Sequence, residues 1–259
     1  GRVTEKGPFV IVSLQESDRM NILLDTLRGT MAELELGISG ALNVTEKMEQ
    51  LAADLLQNRV TGTWMGVAYP SLKSLSSWFI DLCSRVEQLV EWTSKLALLK
   101  SVWLSGLFNS MSFLTSNMQV AARLNSLPLD FMTNRCCFYN VREVSEIAGM
   151  PPAGVNVHGL FLEGAGWEMG KGEEEGYITE SKMKELHPVM PICNVFAVHI
   201  DEMSWEAMFH CPVFSTSVRG GILFGPQGTF IFQANLRMDP DDNEFRWVLA
   251  GAGMLTQDD

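Results

Sequence analysis

Two cysteines stand where a thiol nucleophile would be sought. Cys211 follows His210, and Cys193 lies in an apolar run. A cysteine hydrolase built on either would need a His within hydrogen-bonding reach and a depressed thiol pKa. Adjacent residues of a strand point to opposite faces, so His210 and Cys211 cannot pair directly, and a packing role is expected for both thiols. Gly170-Lys-Gly-Glu-Glu-Glu-Gly176 is rich in glycine and carries a lysine. Its three glutamates repel phosphate, however, and no Ser or Thr follows the lysine as a phosphate loop requires. Gly164-Ala-Gly166 opens a dinucleotide fingerprint, but Met169 holds the third glycine position. The four histidines (His158, His187, His199, His210) show no metal-ligand spacing, and the acidic run from Asp239 to Glu244 lacks the ligand spacing of a calcium loop. The expectation is no catalytic residue, no cofactor and no metal.

Composition narrows the partners. Nineteen basic against 31 acidic side chains give a formal charge of −12. That excludes a phosphate-binding surface, and so nucleic acid, as a natural partner. It also disfavours direct docking on an acidic polymer such as a microtubule. Mean hydropathy is slightly positive, and 15 Met and 7 Trp are many for a chain facing water. Part of that apolar surface is expected to pack against something outside the chain. No apolar run reaches the roughly 18 residues of a membrane span. Five cysteines without a C-x-x-C pair suggest reduced, buried thiols. The chain opens Gly1-Arg2 without an initiator Met and reads as excised from something longer.

The elements that would position these groups fall into two halves. Residues 9 to about 125 carry helical periodicity. Thr45 can cap a helix whose face is Met48, Leu51, Ala52, Leu55 and Leu56. A longer helix after Pro70 lines Leu72, Leu75, Trp78, Phe79, Leu82, Val86, Leu89 and Val90 on one side, with Lys73, Asp81, Arg85 and Gln88 mainly on the other. Leu107 to Ala122 is apolar nearly all round, the mark of a helix buried between neighbours. After Leu127-Pro128 the period changes to two. Thr229–Leu236 alternates as a half-buried strand, with Gly221 to Phe224 as its hairpin partner. Ile192 to Ile200 reads as a central strand, and Pro212 places its own strand at an edge or bulge. Thr179 to Leu186 fits a short helix. Phe245, Trp247, Leu249, Gly251, Gly253 and Leu255 share one face of a last strand whose glycines suggest a barrel corner. Helices followed by strands predict an α+β fold, with a helical subdomain over 1–129 and a β subdomain over 130–259.

Six motifs in order carry a resemblance to a known family. They are Gln15-Glu16 with Arg19 and Asn21-Ile-Leu-Leu24; Tyr69-Pro-Ser-Leu-Lys-Ser-Leu75 with Trp78; Trp103-Leu-Ser-Gly106 with Phe113-Leu-Thr115 and Gln119; Val157-His-Gly-Leu-Phe-Leu-Glu-Gly-Ala165; Cys211-Pro-Val213 with Arg219; and Trp247-Val-Leu-Ala-Gly251. Together they resemble the C-terminal domain of dynein heavy chains, in the axonemal form of cilia and flagella. Departures are Gly166, where the family usually has Arg, and Phe214-Ser215-Thr216, where it usually has Tyr-Lys-Thr.

The resemblance implies a helical subdomain followed by a small antiparallel β-barrel with a short inserted helix. It implies a non-catalytic regulatory and structural part of a motor ATPase, lying on the ring of AAA modules of the same heavy chain and touching microtubules only indirectly. No membrane or nucleic acid enters. The surplus of Trp and Met points to Trp64 and Trp103 as candidates for docking on that ring. The competing readings are a β-barrel ligand-binding module with a helical appendage, which needs a pocket lined by convergent polar groups, and the cysteine hydrolase above.

Overall fold

The computed structural model describes residues 7–95, 97–171, 175–182, 186–203, 207–221 and 228–258. The helical half is α1 (Pro8–Ile38), α2 (Glu46–Leu56), α3 (Gly62–Met65), α4 (Leu75–Lys95) and α5 (Ser110–Asn125). Pro8 opens α1, where its missing N–H costs nothing. Thr45 caps α2 as expected, accepting from the Met48 N–H at 3.4 Å. Asn109 caps α5 through the Ser112 N–H at 3.0 Å. α5 lies between α1 on one side and the β half on the other, which accounts for the apolar character of its sequence.

A two-residue strand, β1 (Val102–Trp103), sits inside the helical half. It is followed by β2 (Met132–Phe138), β3 (Val155–His158), β4 (Phe161–Glu163), β5 (Gly166–Glu168), β6 (Tyr177–Thr179), β7 (Cys193–His199), β8 (Met208–Phe214) and β9 (Phe230–Arg237). The short helix α6 (Glu244–Leu249) and β10 (Gly253–Leu255) complete the order. One sheet runs β1-β3-β7-β2, a second β4-β10-β8-β9, and β5 with β6 forms a hairpin. The pairs β1–β3 and β10–β8 are parallel and the other pairs antiparallel.

The fold is therefore mixed α+β as expected, but the closed antiparallel barrel is not formed among the described residues: the sheets are mixed and open. The edge strands β2 and β9 face each other without a ladder. Side chains take the edge groups instead. Asn235 donates to the Asn134 carbonyl at 3.3 Å, and the Glu175 carboxylate accepts the Phe138 N–H at 2.9 Å.

Several local expectations also change. β7 is interior, between β3 and β2, as read. β8 lies between β10 and β9, but β10 pairs with it only at Val213 and Phe214, so Pro212 sits just outside that ladder and one residue before the register irregularity at Val213/Phe214. β9 pairs with β8, and residues 222–224 of its expected hairpin partner lie outside the described residues. β9 is covered on both faces, since Ile231 and Asn235 are buried along with Phe232, Ala234 and Leu236. Thr179 ends a strand rather than starting a helix, and residues 183–185 of that expected helix are not described. The last expected strand is a helix over 244–249: Trp247 points inward, while Phe245 and Leu249 point out.

A buried charged junction as candidate functional site

The inner face of α4 repeats at helical spacing: Trp78, Leu82, Arg85, Leu89 and Trp92 are all buried. Arg85 is thus on the apolar side, not the polar side expected for it, and is only 1% exposed. Its guanidinium donates to the Ser105 carbonyl and to Ser105 Oγ at 3.1 Å. It lies flat over Tyr69, 3.4 Å from the ring centroid, and 5.1 Å from the Trp103 ring. Asp81, one turn earlier, is 3.9 Å from Arg85 and 3.2 Å from Lys73 Nζ, which also reaches Asp258 at 3.4 Å. Gln257 donates to the Pro70 carbonyl at 2.7 Å.

Glu16 comes up from α1. Its buried carboxylate accepts the backbone N–H groups of Phe108 and, at 2.9 Å, Asn109, at the start of α5. A carboxylate at a helix N-terminus is favoured by the helix dipole. Four segments distant in sequence are thereby tied to one charged knot.

Burial dominates the electrostatics. Desolvation lowers the Arg85 pKa to about 10, opposed by Tyr69 and Asp81. It raises the Tyr69 phenol above its usual range, and it raises the Glu16 carboxyl against the pull of its two N–H donors. The partners of each group offset part of the water that burial removes. The guanidinium is already engaged by Ser105 and the Tyr69 ring, so the arrangement acts as a clamp. A cleft of about 440 Å³ opens beside it, lined in part by Ser105, Ser110, Thr229, Thr256 and Gln257.

Trp64 and Trp103, expected as docking residues, occupy the two ends of one stack through this junction. Trp64 is 2% exposed, lies 6.1 Å from Trp78 between ring centroids and donates to Thr30 Oγ1 at 2.9 Å. Trp78 stacks on Tyr69 at 5.8 Å, Tyr69 on Arg85, and Arg85 on Trp103. Trp103 is half-buried against Gly159. There φ is +75°, and a Cβ would meet the indole at 2.4 Å, so only glycine fits. The residues that sequence reading missed are Arg85 and Asp81. The signal was present: Arg85 stands seven residues after Trp78 and four before Leu89, on one face of the helix.

Cys136, Cys193 and Cys211 are buried as core, Cys137 is partly buried and Cys83 is exposed. Burial pushes Cys211 and Cys193 well above the ordinary thiol range, the opposite of what a nucleophile needs. No group of three His, Cys, Asp or Glu side chains among the described residues could hold a metal ion.

His158 closes β3, and its Nδ1 lies 2.8 Å from Ser101 Oγ. Burial depresses its pKa from 6.5 to about 4. The unfolded protein takes up a proton near pH 6.5 that the folded protein refuses until about pH 4. The stability that His158 contributes is therefore complete above pH 6.5 and is lost as the pH falls toward 4. The expected loss is ~2–3 kcal/mol. Urea midpoints measured from pH 7 to 4 should fall less steeply in His158→Gln; identical slopes would remove His158 from the account.

The buried ion cluster thus joins three segments of the helical half to the segment that follows β10. The chain belongs to the family of the C-terminal domain of dynein heavy chains, whose model matches residues 2–256. It is 38% identical over 258 residues to mouse dynein axonemal heavy chain 17, covering 99% of this chain and 5% of that protein. It is 41% identical over 265 residues to the flagellar outer arm dynein alpha chain of Chlamydomonas reinhardtii, covering 100% of this chain and 6% of that protein. Human dynein axonemal heavy chain 9 is 39% identical over 256 residues. The chain thus spans about a twentieth of the length of these relatives.

Proposed function

We propose that this chain is the regulatory and structural C-terminal domain of an axonemal dynein heavy chain, at work in a cilium or flagellum. It performs no catalysis itself. It packs on the ring of AAA modules of the same heavy chain and biases that ring's ATP-driven movement along microtubules. The observation that carries this reading is a set of large apolar side chains left facing water, Ile80 and Val90 on α4, Leu124 on α5 and Leu249 on α6, in a domain that is a small part of such a protein. Side chains of that size add apolar area to an interface wherever a partner covers them. Of the two tryptophans expected to anchor the contact, Trp103 keeps partial exposure, while Trp64 is buried and offers no surface for docking.

The charge of −12 makes the microtubule an indirect partner and nucleic acid none. Among the described residues no helix is long and apolar enough to cross a membrane. Such a domain couples to the ring only through packed contacts whose free energy differs between ring states. Removing residues 1–259 from the heavy chain should therefore leave its ATPase sites chemically competent while changing velocity, run length or stall force. Single-molecule motility and ATPase assays on both forms check this; unchanged motility from a stable truncated motor would overturn it. The cleft of about 440 Å³ keeps the ligand-binding reading in play, and a saturable small-molecule thermal shift would favour that reading.

A further inference from the structure

We infer that α6 is the anchor by which the domain holds its ring. It forms an apolar knob with an acidic collar, seated in an apolar groove rimmed by Lys or Arg on an AAA module of the same heavy chain. This rests on the ring-docking reading above and specifies its surface and its chemistry.

A surface helix normally turns its apolar stripe inward. α6 turns only Trp247 inward. Phe245, Val248 and Leu249 are 72%, 57% and 88% exposed, and the i, i+3, i+4 spacing puts them on one face.

The helix is held rigidly in that pose. Asn243 caps it through the Phe245 N–H at 3.0 Å. Glu244 accepts from the His210 backbone at 3.1 Å and lies 2.9 Å from His210 Nδ1. Arg246 bonds Asp242 at 3.2 Å and also reaches Glu180. Gly251, with φ +69°, ends the helix, and Arg219 donates to its carbonyl at 3.1 and 3.2 Å. These polar contacts fix the helix, and with it the face that presents three large apolar side chains to water. Prefixed anchors lose little conformational entropy on binding and carry a large share of interface energy.

Charge and length together select the occupant. Asp242 and Glu244 are engaged by Arg246 and His210, whereas Asp239 and Asp241 are exposed as they lead into the knob, so the complementary rim is basic. A free second copy would need on the order of 800 Å² on each partner, more than three side chains offer. A tethered partner meets the knob at high effective concentration and needs far less. The relatives are about twenty times longer than this chain, which supplies such a partner.

The test places a photo-crosslinking residue in the full heavy chain, as Leu249→p-benzoylphenylalanine and separately as Ile80→p-benzoylphenylalanine on α4. The expected result is an adduct from position 249 to one AAA module of the same chain, beside Lys or Arg. Its yield should fall roughly tenfold when Phe245→Ser is added, the effect of losing one aromatic anchor. Adducts from position 80 alone would overturn the assignment to α6 and leave ring docking standing. Adducts from neither position would overturn both, and an adduct from 249 to a different polypeptide would overturn the occupant.

Discussion

Arg85→Ala is expected to destabilise the domain by about 3–5 kcal/mol, the cost of breaking a buried ion cluster from one side. The loss has identifiable parts. Ser105 is left with an unpaired buried carbonyl, Tyr69 loses the cation over its ring, and Asp81 keeps only Lys73. Arg85→Lys should recover little, because a single ammonium cannot reach both Ser105 acceptors while lying flat on Tyr69. Urea unfolding of the three forms checks this. An Arg85→Ala midpoint equal to wild type would show that the knot is incidental to the fold.

Trp247→Ala should cost a similar ~3–5 kcal/mol, since a fully buried indole leaves a large cavity. Trp247→Phe should cost much less, because the Trp247 Nε1 has no hydrogen-bond partner to lose. Val248→Ala, next along the same helix, should stay within about 0.5 kcal/mol, as befits an outward side chain. Melting temperatures for the three variants separate an inward anchor from an outward face. Equal effects at 247 and 248 would contradict the orientation of α6.

The long helices were legible because three or more turns of periodic sequence leave little choice, and Thr45 advertised the start of α2. The six residues of α6 were not. Over so short a span Phe-Arg-Trp-Val-Leu satisfies a two-residue and a 3.6-residue period alike. The deciding mark was Asn243, whose amide oxygen caps the helix. The barrel failed for a different reason. Strand alternation shows which faces are buried but not which edges meet, and the gap between β2 and β9 is crossed by the Asn235 side chain rather than by a ladder, with Glu175 taking the Phe138 N–H of β2. At the junction, Arg85 shares a helix face with Trp78 and Leu89, whereas the residue type alone points to the polar side, where arginine usually lies. No sequence pattern announces that Glu16 receives the start of a helix 93 residues away.

The bond from Gln257 to Pro70 spans 187 residues. The parallel pairing of Val102 with Val157 likewise waits on a later part of the sequence. On the ribosome, at about 5–20 residues per second, roughly ten to forty seconds separate the emergence of Pro70 from that of its partner. Throughout that interval the Pro70 carbonyl lacks its Gln257 donor, and for the shorter wait until Val157 emerges the edge of β1 has nothing to pair with. Contacts of such sequence separation close late, so the order of synthesis leaves the helical half waiting for the end of the domain.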